Sequence, residues 1–304
     1  MVAPKNLTEF ESLIRSRTRA ALESLPENTP FNWVELVSRN LTTQMLATLF
    51  DFPWEERHKL SIWSDAVVSD ERITGKADLT LEERQLMALD IFESFSRLWQ
   101  ERLDDGVESF DLIRLMQRDP STRELINDPV MFIGNLMLLI VGGNDTTRNS
   151  MTGGVIFFND NPGELQKLRK DTSLIPSMVS EVIRFQTPLP HMRRTVTRDF
   201  EFKGHRMKKG DKVVLWYCSA NRDEAVIKNP DSFLIDREAP RNHASFGFGI
   251  HRCMGNRLAE MQLRVLWEEC LDLFEAIEVQ AEPTRLSNNF VRGYSELEVV
   301  VKRH

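Results

Sequence analysis

Residues 129–158 constrain the fold more than any other stretch. They read as one long helix, and its first half is unusually apolar, with Leu136 to Val141 forming an unbroken hydrophobic run. A helix of this kind is predicted to run through a core, with other amphipathic helices around it. The sequence before it supplies them. Asn6 to Leu25 carries Leu7, Phe10, Leu13 and Ile14 at helical spacing, with Asn6 as the expected N-cap. Asn32 to Phe50 repeats the pattern. Pro53 opens a further helix at a position that tolerates proline. Ser69 to Asp78 is a polar break, and Leu81 to Leu103 is another long amphipathic stretch.

After the apolar helix come two shorter ones, Pro162 to Lys170 and Leu174 to Phe185, and then the texture changes. Met192 to Phe202 and Lys212 to Tyr217 read as strands around a Lys209-Gly210-Asp211 turn. Asn221 to Ile250 is irregular, Met254 to Leu273 is helical, and Leu297 to Lys302 reads as a last strand. The expected class is mainly α with a small segregated β region. With no linker-like stretch, residues 1–304 are expected to form one domain, helical over 1–190 and carrying sheet and loops over 191–304.

Composition narrows the function. A net charge of −7 without a Lys/Arg block argues against a nucleic-acid partner. Three cysteines, Cys218, Cys253 and Cys270, make no disulfide framework, which points to a reducing compartment. Leu136 to Val141 falls short of the roughly 20 residues a membrane span needs, and the N-terminus lacks a signal-peptide core. The expectation is a soluble, cytoplasmic protein with no membrane span.

The strongest chemical signal is Phe246-Gly247-Phe248-Gly249-Ile250-His251-Arg252-Cys253-Met254-Gly255, directly before a helix. The plain alternative is a glycine-rich loop with a buried cysteine. Three glycines flanking one cysteine argue otherwise, because glycine lets backbone turn tightly and approach a flat ligand closely. A cysteine at a helix N-terminus lies in a field that favours thiolate, and thiolate is an axial ligand that pushes electron density onto haem iron. Without a Cys-x-x-Cys-His sequence the haem is expected to be non-covalent.

This stretch resembles the cysteine loop of the cytochrome P450 family, Phe-x-x-Gly-x-His/Arg-x-Cys-x-Gly. The resemblance implies haem b held through Cys253, with Phe246, Gly247, Gly249 and Gly255 shaping the loop. It also gives meaning to weaker signals. Gly142-Gly143-Asn144-Asp145-Thr146-Thr147 interrupts the apolar helix and could be a simple kink with a polar patch. It resembles the family's oxygen-activating turn, in which Thr146 would hold the oxygen's hydrogen bonds and Asp145 would feed protons from solvent. Glu181 and Arg184 resemble the family's Glu-x-x-Arg pair, with Arg237 as third member in a structural role. Arg194 and His251 are the implied propionate partners, with Arg193 competing for the first role. His58, His205 and His304 read as surface residues, and His191 and His243 receive no role.

The resemblance extends to a branch of the family. Val141 to Gly154, Thr187 to Arg194 and Leu49 to Trp54 resemble the bacterial alkane-hydroxylating members. That branch attacks the terminal carbon of medium-chain alkanes and fatty acids, using O₂ and electrons from a ferredoxin and its reductase. The implied apolar lining is Leu138, Val141, Gly142, Leu189, Pro190, Met192, Phe290 and Val291. A P450 acting on a terpenoid or sterol and a haem-binding protein without turnover are the rival readings; Asp145 and Thr146 speak against the second. Family members carry further helices and strands before the point where this sequence starts, so an N-terminally truncated fragment is expected. Five arginines and two glutamates between Arg237 and Arg264 leave a local excess of three positive charges, suited to an acidic ferredoxin.

Overall fold

The computed structural model describes residues 4–68, 79–104 and 111–304. Its axis is the apolar helix, α6 (Pro129–Asp160), capped by Asp128, whose side chain accepts from the Met131 N–H. Before it come α1 (Pro4–Glu23), α2 (Asn40–Phe50), α3 (His58–Val68), α4 (Leu81–Asp104) and α5 (Leu112–Arg118); after it come α7 (Pro162–Lys170), α8 (Ile175–Gln186), the single turn α9 (Tyr217–Ala220) and α10 (Asn256–Leu273). Two sequence expectations shift here. Helix α1 begins at Pro4, so Asn6 is inside it. Residues 34–39 form a π-helical stretch ahead of α2. The expected polar break at 69–78 lies outside the described residues.

Helix α6 joins two apolar cores. Phe132, Leu136, Met137 and Ile140 from its first half pack with α2, α3, α4 and α5 around Phe50, Trp63, Phe95 and Trp99. Met151, Val155, Phe157 and Phe158 from its second half pack with α8, α10 and the sheet around Trp33, Phe233 and Trp267. Length and composition alone would let this helix cross a membrane; its packing against α2, α3, α4, α8 and α10 makes it the spine of the fold. Gly142 and Gly143 do not break it. Gly143 is where α2 comes close: a Cβ there would meet Leu46 Cδ2 at 2.9 Å.

The strands are β1 (Phe31–Asn32), β2 (His191–Thr195), β3 (Phe200–Phe202), β4 (His205–Met207), β5 (Lys212–Trp216), β6 (Phe274–Val279), β7 (Thr284–Arg285), β8 (Tyr294–Glu296) and β9 (Glu298–Arg303). They form the sheet β1-β9-β6 and the pairs β2-β5, β3-β4 and β7-β8, all antiparallel. The single strand expected over 192–202 is thus two. The sheet region is not wholly segregated either, because β1 comes from the helical part and pairs Phe31 with Val299.

Candidate active site

The cysteine loop is built by local backbone conformation. Gly247 (φ +66°) and Gly249 (φ +71°) take left-handed dihedrals that favour glycine. A Cβ on Gly247 would also crowd the Tyr217 hydroxyl at 3.1 Å. The Cys253 N–H donates to the Phe246 carbonyl (2.8 Å), closing the loop, and Asn256 Nδ2 donates to the Cys253 carbonyl (2.7 Å). Helix α10 starts at Asn256, so Cys253 precedes the helix by more than the sequence implied. The expected favouring of the thiolate is not what the surrounding protein alone produces. Crowding by surrounding protein pushes the thiol up, while the Gly255 N–H on Sγ and the Arg252 charge pull the other way.

The surroundings fit a flat apolar group with a metal at its centre. Cys253 is exposed, and Phe248, Ile250 and Met254 beside it in sequence are exposed too, Ile250 at 97%. Three large apolar side chains exposed within five residues of one thiol are what a ligand surface needs, since clustered rather than single exposed apolar residues mark binding surfaces. On α6, Leu138 (71% exposed), Gly142 (exposed) and Thr146 (half-buried) follow one another at i, i+4 spacing on one face of the helix, beside its buried residues 144, 145 and 147–158. The Thr146 hydroxyl donates to the Gly142 carbonyl at 2.8 Å.

Beside that stripe α6 is polar and buried, at the junction of the two cores. Asp145 is fully buried; its carboxylate accepts from Ser64 Oγ (2.9 Å) and pairs with Arg148. Arg148 reaches Asp65 (3.0 Å), which also pairs with Arg39 (2.8 Å). Burial raises the Asp145 carboxyl above its usual range; Arg148 opposes that shift and Asp65 adds to it. Ser64, Asp65 and Arg148 were not legible as site residues. The Asp-x-x-Arg spacing of 145 and 148 was the one available signal.

Glu181, Arg184 and Arg237 come together. Glu181 accepts from Arg184 Nε (2.7 Å) and Nη2 (2.8 Å), from Arg237 Nε (2.8 Å) and from the Leu234 N–H (2.9 Å). Both arginines then bind backbone carbonyls of the irregular segment: Arg184 holds Asn221 and Pro230, and Arg237 holds Lys228, Asn229 and Ser232. Asn221, missed from sequence, relays this cluster to the cysteine loop. Its Nδ2 donates to Ser245 Oγ and its Oδ1 accepts from the Ala244 N–H, two residues before Phe246.

The remaining residues fall in several places. Arg194 is half-buried and shares a face of β2 with Met192; Arg193 is exposed on the other face. His251 is exposed. Leu189 and Pro190 are half-buried and Phe290 is exposed. Val141 packs toward the core around Phe95, and Val291 is 1% exposed, so these two do not share the open surface of Leu138 and Gly142. His191 meets the Trp216 ring, whereas His58, His205 and His304 are exposed. His243 is buried against Phe246, its Nδ1 without a partner among the described residues, and burial pushes its imidazole down to about 4. The arginines of the positive segment are largely occupied. Arg237 serves Glu181, Arg241 pairs with Glu260, and Arg264 pairs with Glu11 and Glu268, leaving Arg252 and Arg257 exposed.

A spine helix with a buried acid beside a threonine, together with a glycine-shaped cysteine loop braced by a Glu–Arg–Arg cluster, defines a haem-thiolate oxygenase. The cytochrome P450 family model matches residues 132–300. Linalool 8-monooxygenase of Pseudomonas putida is 34% identical over 99% of this chain and 72% of that protein. The chain belongs to the cytochrome P450 family, it is a monooxygenase, and its cofactor is haem b. Methyl-branched lipid omega-hydroxylase of Mycobacterium tuberculosis is 32% identical over 97% of this chain and 69% of that protein. Among solved structures, cytochrome P450-153 from Novosphingobium aromaticivorans is 44% identical with a TM-score of 0.88, covering 99% of this chain and 72% of that one.

Proposed function

We propose that this monooxygenase hydroxylates medium-chain alkanes or fatty acids at the terminal carbon, with electrons from a ferredoxin and its reductase. Haem b, bound through the Cys253 thiolate, supplies the activation of O₂ for insertion of one oxygen atom into a C–H bond. The chain's own residues do the rest. Arg194 and His251 would pair with the haem propionates, Arg194 through its planar fork. The Thr146 hydroxyl, held by the Gly142 carbonyl, is positioned to exchange hydrogen bonds on the substrate side of α6. The Asp145 carboxyl, next in sequence, is the proton source behind it. Glu181, Arg184 and Arg237 act at a distance, by holding the segment that carries Asn221 and the cysteine loop.

The observation that carries the substrate class is the uncharged stripe on α6, with the bulky apolar Leu138 71% exposed on it, which offers no charge to a head group. An apolar wall of this kind selects by shape, with about 1–3 kcal/mol at stake per methylene. Attack at a terminal methyl requires walls that hold inner methylenes away from the reacting centre, and Leu138 is the bulky residue on the stripe. Exposed Arg252 and Arg257 near the cysteine would favour an acidic donor. A terpenoid substrate is the second reading, favoured by the 34% identity to linalool 8-monooxygenase.

Product analysis separates these. The haem-loaded enzyme given octane should make mainly 1-octanol, and Leu138→Ala should raise the 2-octanol share by about fivefold, the equivalent of ~1 kcal/mol. Mainly internal alcohols from the unsubstituted enzyme, or linalool turned over far faster than octane, would overturn the alkane-terminal reading and leave the monooxygenase intact.

A further inference from the structure

The uncharged face of α6 does not stay open along its length. Leu138, Gly142, Thr146 and Asn149 stand at i, i+4, i+8 and i+11, and eleven residues make about three helical turns, so all four share one face. Leu138 and Gly142 are exposed and Thr146 is half-buried, but Asn149 is 0% exposed. What covers it is the end of the connection between β7 and β8, residues 286–293. The Tyr294 N–H donates to Asn149 Oδ1 at 2.9 Å, and Asn149 Nδ2 donates to the Asp145 carbonyl at 2.8 Å, so the amide is used at both ends. Gly293 lies so close that a Cβ on it would overlap the Asn149 amide.

A second amide holds the same connection from α8. Gln186, also fully buried, accepts the Tyr294 hydroxyl on Oε1 at 3.2 Å and gives Nε2 to the Arg292 carbonyl at 2.8 Å. It fits because Gly153 of α6 has no side chain; a Cβ there would press on Gln186 Oε1. The Arg292 N–H donates to the Pro188 carbonyl at 2.8 Å, which ties the connection to the segment carrying Leu189 and Pro190. At the tip, Asn288 Oδ1 accepts from the N–H groups of Phe290 (2.6 Å) and Val291 (2.8 Å), and Phe290 is the apolar side chain left open there. Buried amide hydrogen bonds are costly to leave unmade, so a closed set of them holds one arrangement.

We propose that Asn149, Tyr294 and Gln186 are positioning residues for regiochemistry: they dock the 286–293 connection as the end wall of the open α6 face, and so set how far along that face a chain substrate can slide. Asn149 fixes where the wall meets α6. Tyr294 and Gln186 fix its tilt, and with it the place of Phe290 and, through Pro188, of Leu189. All three are buried and act through the residues they hold. The inference rests on the reading of the α6 face as the substrate wall.

The test uses the haem-loaded enzyme, its redox partners and octane. Tyr294→Phe deletes one hydroxyl and keeps the ring; with haem content unchanged it should raise the 2-octanol share about threefold, the order expected for one lost hydrogen bond. Asn149→Ala should raise it further. In the resting enzyme both variants should speed hydrogen exchange in the 286–294 segment roughly tenfold and leave α1 and α10 as they were. Tyr294→Phe should add nothing on a Gln186→Met background, because both break the same bond; an added shift would overturn the bridge. Should Asn149→Ala fail to fold, Tyr294→Phe decides alone. Exchange that does not change, or that rises while the product ratio stays fixed, overturns the positioning role. Leu138→Ala separates the two readings. If it shifts the product ratio and Tyr294→Phe and Asn149→Ala do not, the end wall is refuted and the α6 face stands as the substrate wall. If none of the three shifts it, the substrate-wall reading falls and the end wall with it.

Discussion

Replacing Glu181 by glutamine removes one negative charge from between two guanidinium groups and should cost more than any exposed ion pair in the molecule. In the wild-type chain Oε1 accepts from Arg184 Nη2 and Leu234 N–H, and Oε2 accepts from Arg184 Nε and Arg237 Nε. Glutamine offers one acceptor oxygen and an NH₂ group. Whichever way the amide turns, two of these four donors then face another donor. Each charge-assisted bond contributes about 1.5–3 kcal/mol net. The two guanidiniums, 1% and 10% exposed in their side chains, also lose their shared counter-charge. Breaking a buried pair in this way costs about 3–5 kcal/mol, which is roughly a 10²–10⁴-fold change in the folding equilibrium and a large part of the ~5–15 kcal/mol that holds a domain together. The control is Arg241→Ala, which deletes a pair whose arginine is 74% exposed and should cost under about 1 kcal/mol. Urea unfolding of both variants, followed by circular dichroism, gives the comparison. Because Arg184 also carries the Asn221 relay to the cysteine loop, Glu181→Gln should lose haem at lower urea than the wild type. A cost for Glu181→Gln no larger than for Arg241→Ala would refute the claim that this cluster is a buried, mutually dependent unit.

Burial holds the His243 imidazole at about 4 against its ordinary 6.5, so the folded state binds fewer protons than the unfolded state between those values. Its contribution is fully present above pH 6.5 and is lost as pH falls toward 4, a difference of about 3 kcal/mol. His243→Gln should flatten this acid limb in urea melts taken across the window, and an unchanged limb would assign acid sensitivity to other groups. Thr146→Ala should keep haem and consume NADH through the redox partners, yet give roughly tenfold or more less alcohol per NADH, with the balance as peroxide; a positioned proton-handling group contributes about 10²–10⁴-fold. Thr146→Ser should retain coupling, and an unchanged alcohol-to-NADH ratio in Thr146→Ala would remove the hydroxyl from the reaction.

The local parts of this protein were legible in its sequence because their causes are local. Gly247 and Gly249 mark a left-handed backbone that glycine adopts without strain. Glu181 and Arg184 meet because three residues make nearly one helical turn, and the spine helix declares itself through an apolar run that must be covered. What pairs across the chain was not legible. Two residues, Phe31 and Asn32, become a strand only because Val299 and Glu298 lie opposite them. The strand expected over 192–202 is divided between two hairpin partners, Lys212–Trp216 and His205–Met207. The sequence offered a motif or a kink as reasons for Gly143 and could not show that Leu46 of α2 needs room there. Val291 looks like pocket lining by its apolarity and is enclosed. Ser64 and Asp65 carry no motif at all; α3 packing on α6 sets them against Asp145 and Arg148. Hydrophobic period and turn chemistry act over a few residues and survive in the linear sequence, whereas buried polar pairs are chosen by which helices meet, and only the folded chain decides that.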